Sequence, residues 1–303
     1  MGKIAFLFSG QGAQKAGLGM DCRSACPRAR ALFDYAESVR PGTLRLCAEG
    51  TPAELAQTEN TQPAVYLADV AAAMALSDAS GVRPDGVAGF SLGELAALAF
   101  AGSYTPEDGF RLVCERGRVM AAAAKAHPAS MAAVLKLPAQ QVSALCGQCG
   151  AYAVNFNSAE QTVASGSAEA LERLRALVRE AGGRLVPLAV GGGFHSPFMT
   201  EASAEFGEIA ARFAPKAPEL PVYANETALP YGDAVASGLA RQISHPVLWE
   251  RTILNMARDG FTTFVETGVG TTLAKLVSRI LPDAKVLSVE DAASLERAVK
   301  EIV

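Results

Sequence analysis

The sequence is short of histidine, with three in 303 residues, and has no apolar run near the ~20 residues a membrane span needs. It has no basic block either. Its 27 Lys and Arg against 31 Asp and Glu leave a formal charge of −4, which argues against a nucleic-acid or anionic-membrane partner. The six cysteines are scattered, and Cys146–Cys149 is a lone CxxC with no second pair and no histidine at ligand spacing. They read as free thiols, with no metal site and no disulfide framework. "KIAFLF" near the N-terminus is too short for the apolar core of a secretory signal and reads as a buried strand, so the expectation is a cytoplasmic protein. Two nucleotide fingerprints also fail. "FSGQGAQ" has Lys15 where G-x-G-x-x-G needs its last glycine, and no G-K-[ST] is present. That loop can still offer main-chain N–H groups to an oxyanion, with Gly10 and Gly12 giving access.

What is present is a chain that is 50% hydrophobic, enough for one large domain carrying a smaller one. Residues 3–8 read as a strand, 29–39 as a helix, and Thr51 to Glu54 as a capping box. An Ala-rich, apolar helix is expected over 62–80, a buried strand over 86–90, and helices over 91–102 and 106–126. Near His127-Pro128 the pattern changes to β-α-β-β-α-β through about residue 190, the split βαβ unit of ferredoxin-like domains. Beyond it, strands at 221–225 and 262–267 alternate with helices at 200–213, 246–259 and 271–280, before a last strand–helix pair. The expected fold is α/β: a hydrolase-like large domain with a parallel sheet (1–127 and 191–303) and an inserted ferredoxin-like subdomain (128–190).

Gly89-Phe90-Ser91-Leu92-Gly93 matches G-x-S-x-G between a predicted strand and a predicted helix, the setting of a nucleophile elbow. It would present the Ser91 hydroxyl at a helix N-terminus, with the Leu92 amide as an oxyanion donor. A helix-capping serine in a glycine-rich turn has the same local pattern. A serine nucleophile needs a base. His127 and His245 each precede a proline and read as loop residues; His195, in "GGGFHSPFM", follows the last strand of the small unit and has the best context. Arg116 and Arg118 in "CERGRVM" fit either surface side chains lying along a helix or a clamp for a carboxylate.

"GQGAQ", "GFSLGELAAL", "RGRVM", "FHSPFM", "RQISHPVLW" and "FVETGVGTTL" occur in this order over nearly the whole chain. Together they resemble the malonyl-CoA:acyl carrier protein transacylases and the acyltransferase domains of polyketide synthases. The resemblance implies ping-pong transfer of a malonyl group from coenzyme A to the phosphopantetheine thiol of an acyl carrier protein, without a cofactor. It implies Ser91 as nucleophile and His195 as base, with the amides of Gln11 and Leu92 as the oxyanion hole. Arg116 would pair with the malonyl carboxylate, and the carbonyl of Gln242 would orient His195. Three positions depart from the pattern: Phe90 stands where the family usually has His, and Ser9 and Val269 where it usually has Pro. Phe194 matches the malonyl-type pattern. Rival readings are an α/β-hydrolase, which would order its triad Ser–acid–His, an acyl hydrolase on the same fold, which would lack Arg116, and a non-catalytic carrier-docking module.

Overall fold

A computed structural model describes residues 2–302. Five strands form a parallel sheet: β1 (Lys3–Phe8), β2 (Gly86–Gly89), β7 (Val222–Tyr223), β8 (Phe261–Thr267) and β9 (Lys285–Val289), in the order β7-β2-β1-β8-β9. β1 lies at the centre because "KIAFLF" has the apolar side chains to fill both faces, and Ala5 to Phe8 are fully buried. Register does the rest. Phe8 pairs with both Gly89 and Thr267, so β1, β2 and β8 end level with one another. The loops after them, beginning at Ser9, Phe90 and Gly268, therefore meet at one place, the carboxyl edge of a parallel sheet, where ligands of such folds bind.

Helices cover the sheet. Thr58–Ser80 is buried along most of its length, and its polar residues Gln62 and Asp69 are buried too. Seven residues apart, they share one face of the helix. Pro106–Ala126 is capped by the Thr105 side chain, and Arg116 on it is fully buried. The capping box at Thr51–Glu54 forms as expected.

The second sheet is antiparallel: β3 (Ser130–Leu135), β4 (Tyr152–Ser158), β5 (Gln161–Gly166) and β6 (Arg184–Pro187), in the order β4-β5-β3-β6, with helices Ala139–Cys149 and Ala168–Glu180 packed on it. Its edge strand β4 is covered from the other unit. Val247 donates to the Val154 carbonyl at 2.8 Å and accepts from Phe156 N–H at 2.9 Å.

The mixed α/β architecture is the expected one, with local differences. The helix after Ser91 starts only at Gly93, and Ser91 itself sits at φ 54°. The strand read at 221–225 is two residues long, and the helix read at 246–259 is Trp249–Arg258. The short helices Met20–Ala25 and Thr43–Glu49, and the helix Val235–Ser244, have no counterpart in the sequence reading. No helix among the described residues is long and apolar enough to cross a membrane.

Gly93 shows how tightly the sheet edge and the elbow are packed. A Cβ there would overlap the carbonyl oxygens of Phe8 and Ser9. Those atoms are backbone at the end of the central strand and the first residue after it, not flexible side-chain ends that can swing away. Gly93→Ala is expected to destabilise the protein by about 2 kcal/mol or more, measurable by chemical denaturation.

Candidate active site

Ser91 stands at the turn from β2 into the helix Gly93–Phe100, in a left-handed conformation that a non-glycine residue adopts only when its surroundings impose it. Asn225 imposes it. Its side-chain oxygen accepts from Ser91 N–H at 2.7 Å, and its side-chain NH2 donates to the Gly89 carbonyl at 2.6 Å, bridging the turn. Asn225 is placed in turn by Glu94, whose carboxylate accepts from the Asn225 main-chain N–H at 2.8 Å and from the Tyr231 hydroxyl. Asn225 and Glu94 are fully buried.

His195 is 3% exposed and also has positive φ, at 60°. Its Nε2 lies 2.8 Å from Ser91 Oγ, and its Nδ1 lies 2.9 Å from the main-chain oxygen of Gln242. A carbonyl can only accept, so Nδ1 carries the proton and the Nε2 lone pair faces the serine. Burial, helped by the nearby Arg116 charge, pulls His195 down to about 4, so it is neutral at pH 7 and free to take a proton. His127 and His245 are at the surface, His127 beside Glu201 at 3.6 Å and His245 against the Arg241 carbonyl.

Arg116 reaches the same point from the helix Pro106–Ala126. One terminal nitrogen donates to the Gln62 side-chain oxygen at 2.8 Å. The other donates to the Gln242 side-chain oxygen at 2.7 Å and lies 3.3 Å from Ser91 Oγ. Its Nε has no acceptor among the described residues. Burial lowers it to about 10, which leaves it protonated at neutral pH. Arg118 points outward and pairs with Glu115 and Glu205.

Gln242 acts at both ends: its carbonyl holds His195, while its side chain takes Arg116 and donates to the Ser91 carbonyl at 2.6 Å. The main-chain N–H groups of Gln11 and Leu92 make no intramolecular hydrogen bond among the described residues. Gln11, Phe90, Met120, Phe194, Ser91 and His195 contribute to a cavity of about 80 Å³. It shares Gln11, Phe90, Asn155, Leu188 and Val190 with an adjoining cleft of about 300 Å³ between the two sheets. Phe90 packs edge-on to Trp249, with ring centroids 5.4 Å apart. A larger cavity of about 690 Å³ near Phe110 and Phe213 lies away from these residues; its one thiol, Cys114, is pushed up to about 11 by burial.

The structure thus brings together Ser91, His195, Arg116, Gln242, Gln11 and Leu92 at one sheet edge. It adds Asn225, Glu94, Tyr231 and Gln62, which sequence reasoning passed over. Gln62 carried a signal: a polar residue in a helix otherwise apolar enough to be buried.

A serine in a strained elbow, a buried histidine hydrogen-bonded to its hydroxyl and a buried guanidinium thus meet at one sheet edge. Residues 5–301 match the family model described as acyl transferase domain, and the chain belongs to that family. It is 35% identical to the malonyl CoA-acyl carrier protein transacylase of Bacillus subtilis, with 100% of this chain and 98% of that protein covered. It is 40% identical to the polyketide biosynthesis protein ThaF of Burkholderia thailandensis over 92% of this chain, which spans 24% of that longer protein. Among solved structures, MCAT from Streptococcus pneumoniae superposes with a TM-score of 0.94 at 35% identity, covering 99% of this chain and 100% of that one.

Replacing Asn225 with Ala would leave the Ser91 amide and the Gly89 carbonyl unpaired in a buried turn. Asn225→Ala is expected to cost about 1–3 kcal/mol of stability, and chemical denaturation of the variant checks it.

Proposed function

We propose that this chain is a malonyl-CoA:acyl carrier protein transacylase acting in the cytoplasm through a Ser91–His195 dyad. The observation that carries this reading is Arg116. It is a fully buried guanidinium whose acceptors are neutral amides and a hydroxyl, within 3.3 Å of the nucleophile. A buried cation with no carboxylate in direct contact is costly, and the arrangement is completed by an acyl group that brings its own carboxylate. The cavity, about 80 Å³, has room for a short acyl chain only. The name of the Bacillus subtilis relative, malonyl CoA-acyl carrier protein transacylase, supports the same donor and acceptor. So does a solved structure of a type II PKS acyl-carrier protein in complex with its malonyl-transacylase, one chain of which is 31% identical to this chain at a TM-score of 0.94, with 98% of this chain and 99% of that one covered.

The chemistry follows from the hydrogen bonds. His195 Nε2 takes the Ser91 proton as Oγ attacks the malonyl thioester carbonyl. The oxyanion rests on the amides of Gln11 and Leu92, and Arg116 holds the free carboxylate. The intermediate collapses, His195 returns the proton to the departing sulfur, and coenzyme A leaves. The pantetheine thiol of the carrier then enters through the 300 Å³ cleft, gives its proton to His195, and attacks the malonyl-Ser91 ester. The reverse collapse frees Ser91 and releases the loaded carrier. The Gln242 carbonyl, in place of a carboxylate, stabilises the imidazolium and fixes its tautomer. With this reading we assign residues 1–127 and 191–303 to the catalytic domain and 128–190 to the ferredoxin-like subdomain. The product serves fatty acid or polyketide synthesis.

Intact-protein mass spectrometry after brief mixing with malonyl-CoA or acetyl-CoA tests the assignment. Wild type is expected to gain a malonyl adduct and Ser91→Ala none; rapid release of free acid without a carrier would instead indicate a hydrolase. Removing one member of a buried charge pair costs about 2–5 kcal/mol, roughly 30- to several-thousand-fold in rate. Arg116→Ala is therefore expected to lose its preference for malonyl over acetyl donors, and unchanged discrimination overturns the carboxylate role.

The pH dependence has a definite sign. The neutral imidazole is the active form, so acidity should abolish acylation rather than promote it. kcat/KM for acyl-Ser91 formation is expected to stay level from neutral pH downward and fall only as His195 takes a proton near about 4. A midpoint near 6.5, the ordinary imidazole value, contradicts the buried-dyad reading.

A further inference from the structure

The loop 9–14 carries the Gln11 amide but has little in its own sequence to stiffen it. Gly12 sits at φ 132° with open space around the position of a side chain. Gln14 braces the far end, accepting from Gly12 N–H at 2.7 Å and donating to the Leu55 carbonyl at 3.2 Å. The near end is braced by Ser9, which is 2% exposed. Its hydroxyl donates to Asp69 at 2.6 Å and accepts from the main-chain N–H of Val269 at 3.2 Å. Asp69 is fully buried on the helix that also supplies Gln62, and its second carboxyl oxygen has no partner among the described residues. The turn at Gly268, φ 117°, is shaped around it, since a Cβ there would overlap the Asp69 carboxyl and come within 2.9 Å of Ser9 Oγ.

Ser9 and Val269 are two of the positions at which this chain departs from the resemblance described above, and they meet in one hydrogen bond. Proline at 269 would have no N–H to satisfy, and proline at 9 no oxygen to satisfy it. Valine at 269 places a donor in a buried turn, and the Ser9 hydroxyl accepts it. An unpaired buried N–H costs about 1–3 kcal/mol, so the hydroxyl disfavours any loop position that would break this bond.

We propose that Ser9, held between Asp69 and the Val269 amide, is a positioning residue that fixes the Gln11 amide for the oxyanion, and that Ser9 and Val269 function as a coupled pair. This rests on the acyl-transfer reading above. Losing an oxyanion donor outright costs about 10²- to 10³-fold in kcat, and a donor displaced with its loop should lose a part of that, about 10- to 100-fold. A uniform binding defect would instead appear in KM.

The test is rapid-quench measurement of acyl-Ser91 formation from malonyl-CoA, with thermal melts in parallel. Ser9→Ala is expected to lower the rate constant at saturating donor by about 10- to 100-fold with little change in half-saturation. Ser9→Thr, which keeps the hydroxyl, is expected to restore it. Val269→Pro added to Ser9→Ala removes the amide that Ser9 would have satisfied, so the double variant should be no slower than Ser9→Ala alone. Losses that multiply overturn the pairing. A Ser9→Ala protein that acylates at the wild-type rate, whatever its melting temperature, overturns the positioning role. Should Ser9→Ala not fold, Ser9→Cys, a poor hydrogen-bonding replacement, is compared with Ser9→Thr in the same way. Wild type is measured first: absence of an adduct there removes the acyl-transfer reading, whereas a normal adduct with an unaffected Ser9→Ala removes only the positioning role.

Discussion

A guanidinium buried beside a serine hydroxyl dominates this protein. Arg116 is fully enclosed, and the atoms around it are arranged to tolerate a charge that no carboxylate touches directly. Gln62 and Gln242 present amide oxygens to it, and the Glu94 carboxylate supplies attraction at longer range. The same positive charge helps keep His195 unprotonated. One buried cation therefore both gathers the two glutamine amides around it and helps hold the imidazole beside it in the neutral form.

Around that charge the polar groups form a continuous lattice in which most side chains serve two neighbours. Gln242 joins His195, Arg116 and Ser91; Asn225 joins Ser91, Gly89 and Glu94. Burial lifts the Glu94 carboxyl to about 7, against the pull of Tyr231, Asn225 and Gln242 on its charged form. Such a lattice is stable only when nearly complete, because each missing partner strands another buried group. It holds both Ser91 and His195 in left-handed conformations that their own side chains disfavour.

The parts of this design that sequence reveals are the ones encoded locally. G-x-S-x-G between a strand and a helix locates Ser91, the change of periodicity after His127 marks the small antiparallel sheet, and the alternation elsewhere marks the parallel one. His195 stood out because only three histidines compete. Asn225, Glu94 and Tyr231 were silent because their roles depend on contacts across more than a hundred residues of chain. A glutamate in the first turn of a helix looks like an ordinary exposed acid, yet Glu94 is fully buried. The short helices were missed for a similar reason: six or seven residues carry too little periodicity to register, and their packing comes from elsewhere.

The pairing of Val247 with β4 has a consequence for how the molecule divides. By chain order the antiparallel sheet is an insertion that two cuts would release. By hydrogen bonding it is not, because its edge strand is completed by a segment from just beyond the Gln242 helix. Transplanting the insertion between homologues along its two chain junctions would expose an unpaired strand edge and loosen the segment that follows Gln242, whose carbonyl bonds His195. The unit that exchanges cleanly is a discontinuous one, in which residues 246–248 travel with the small sheet.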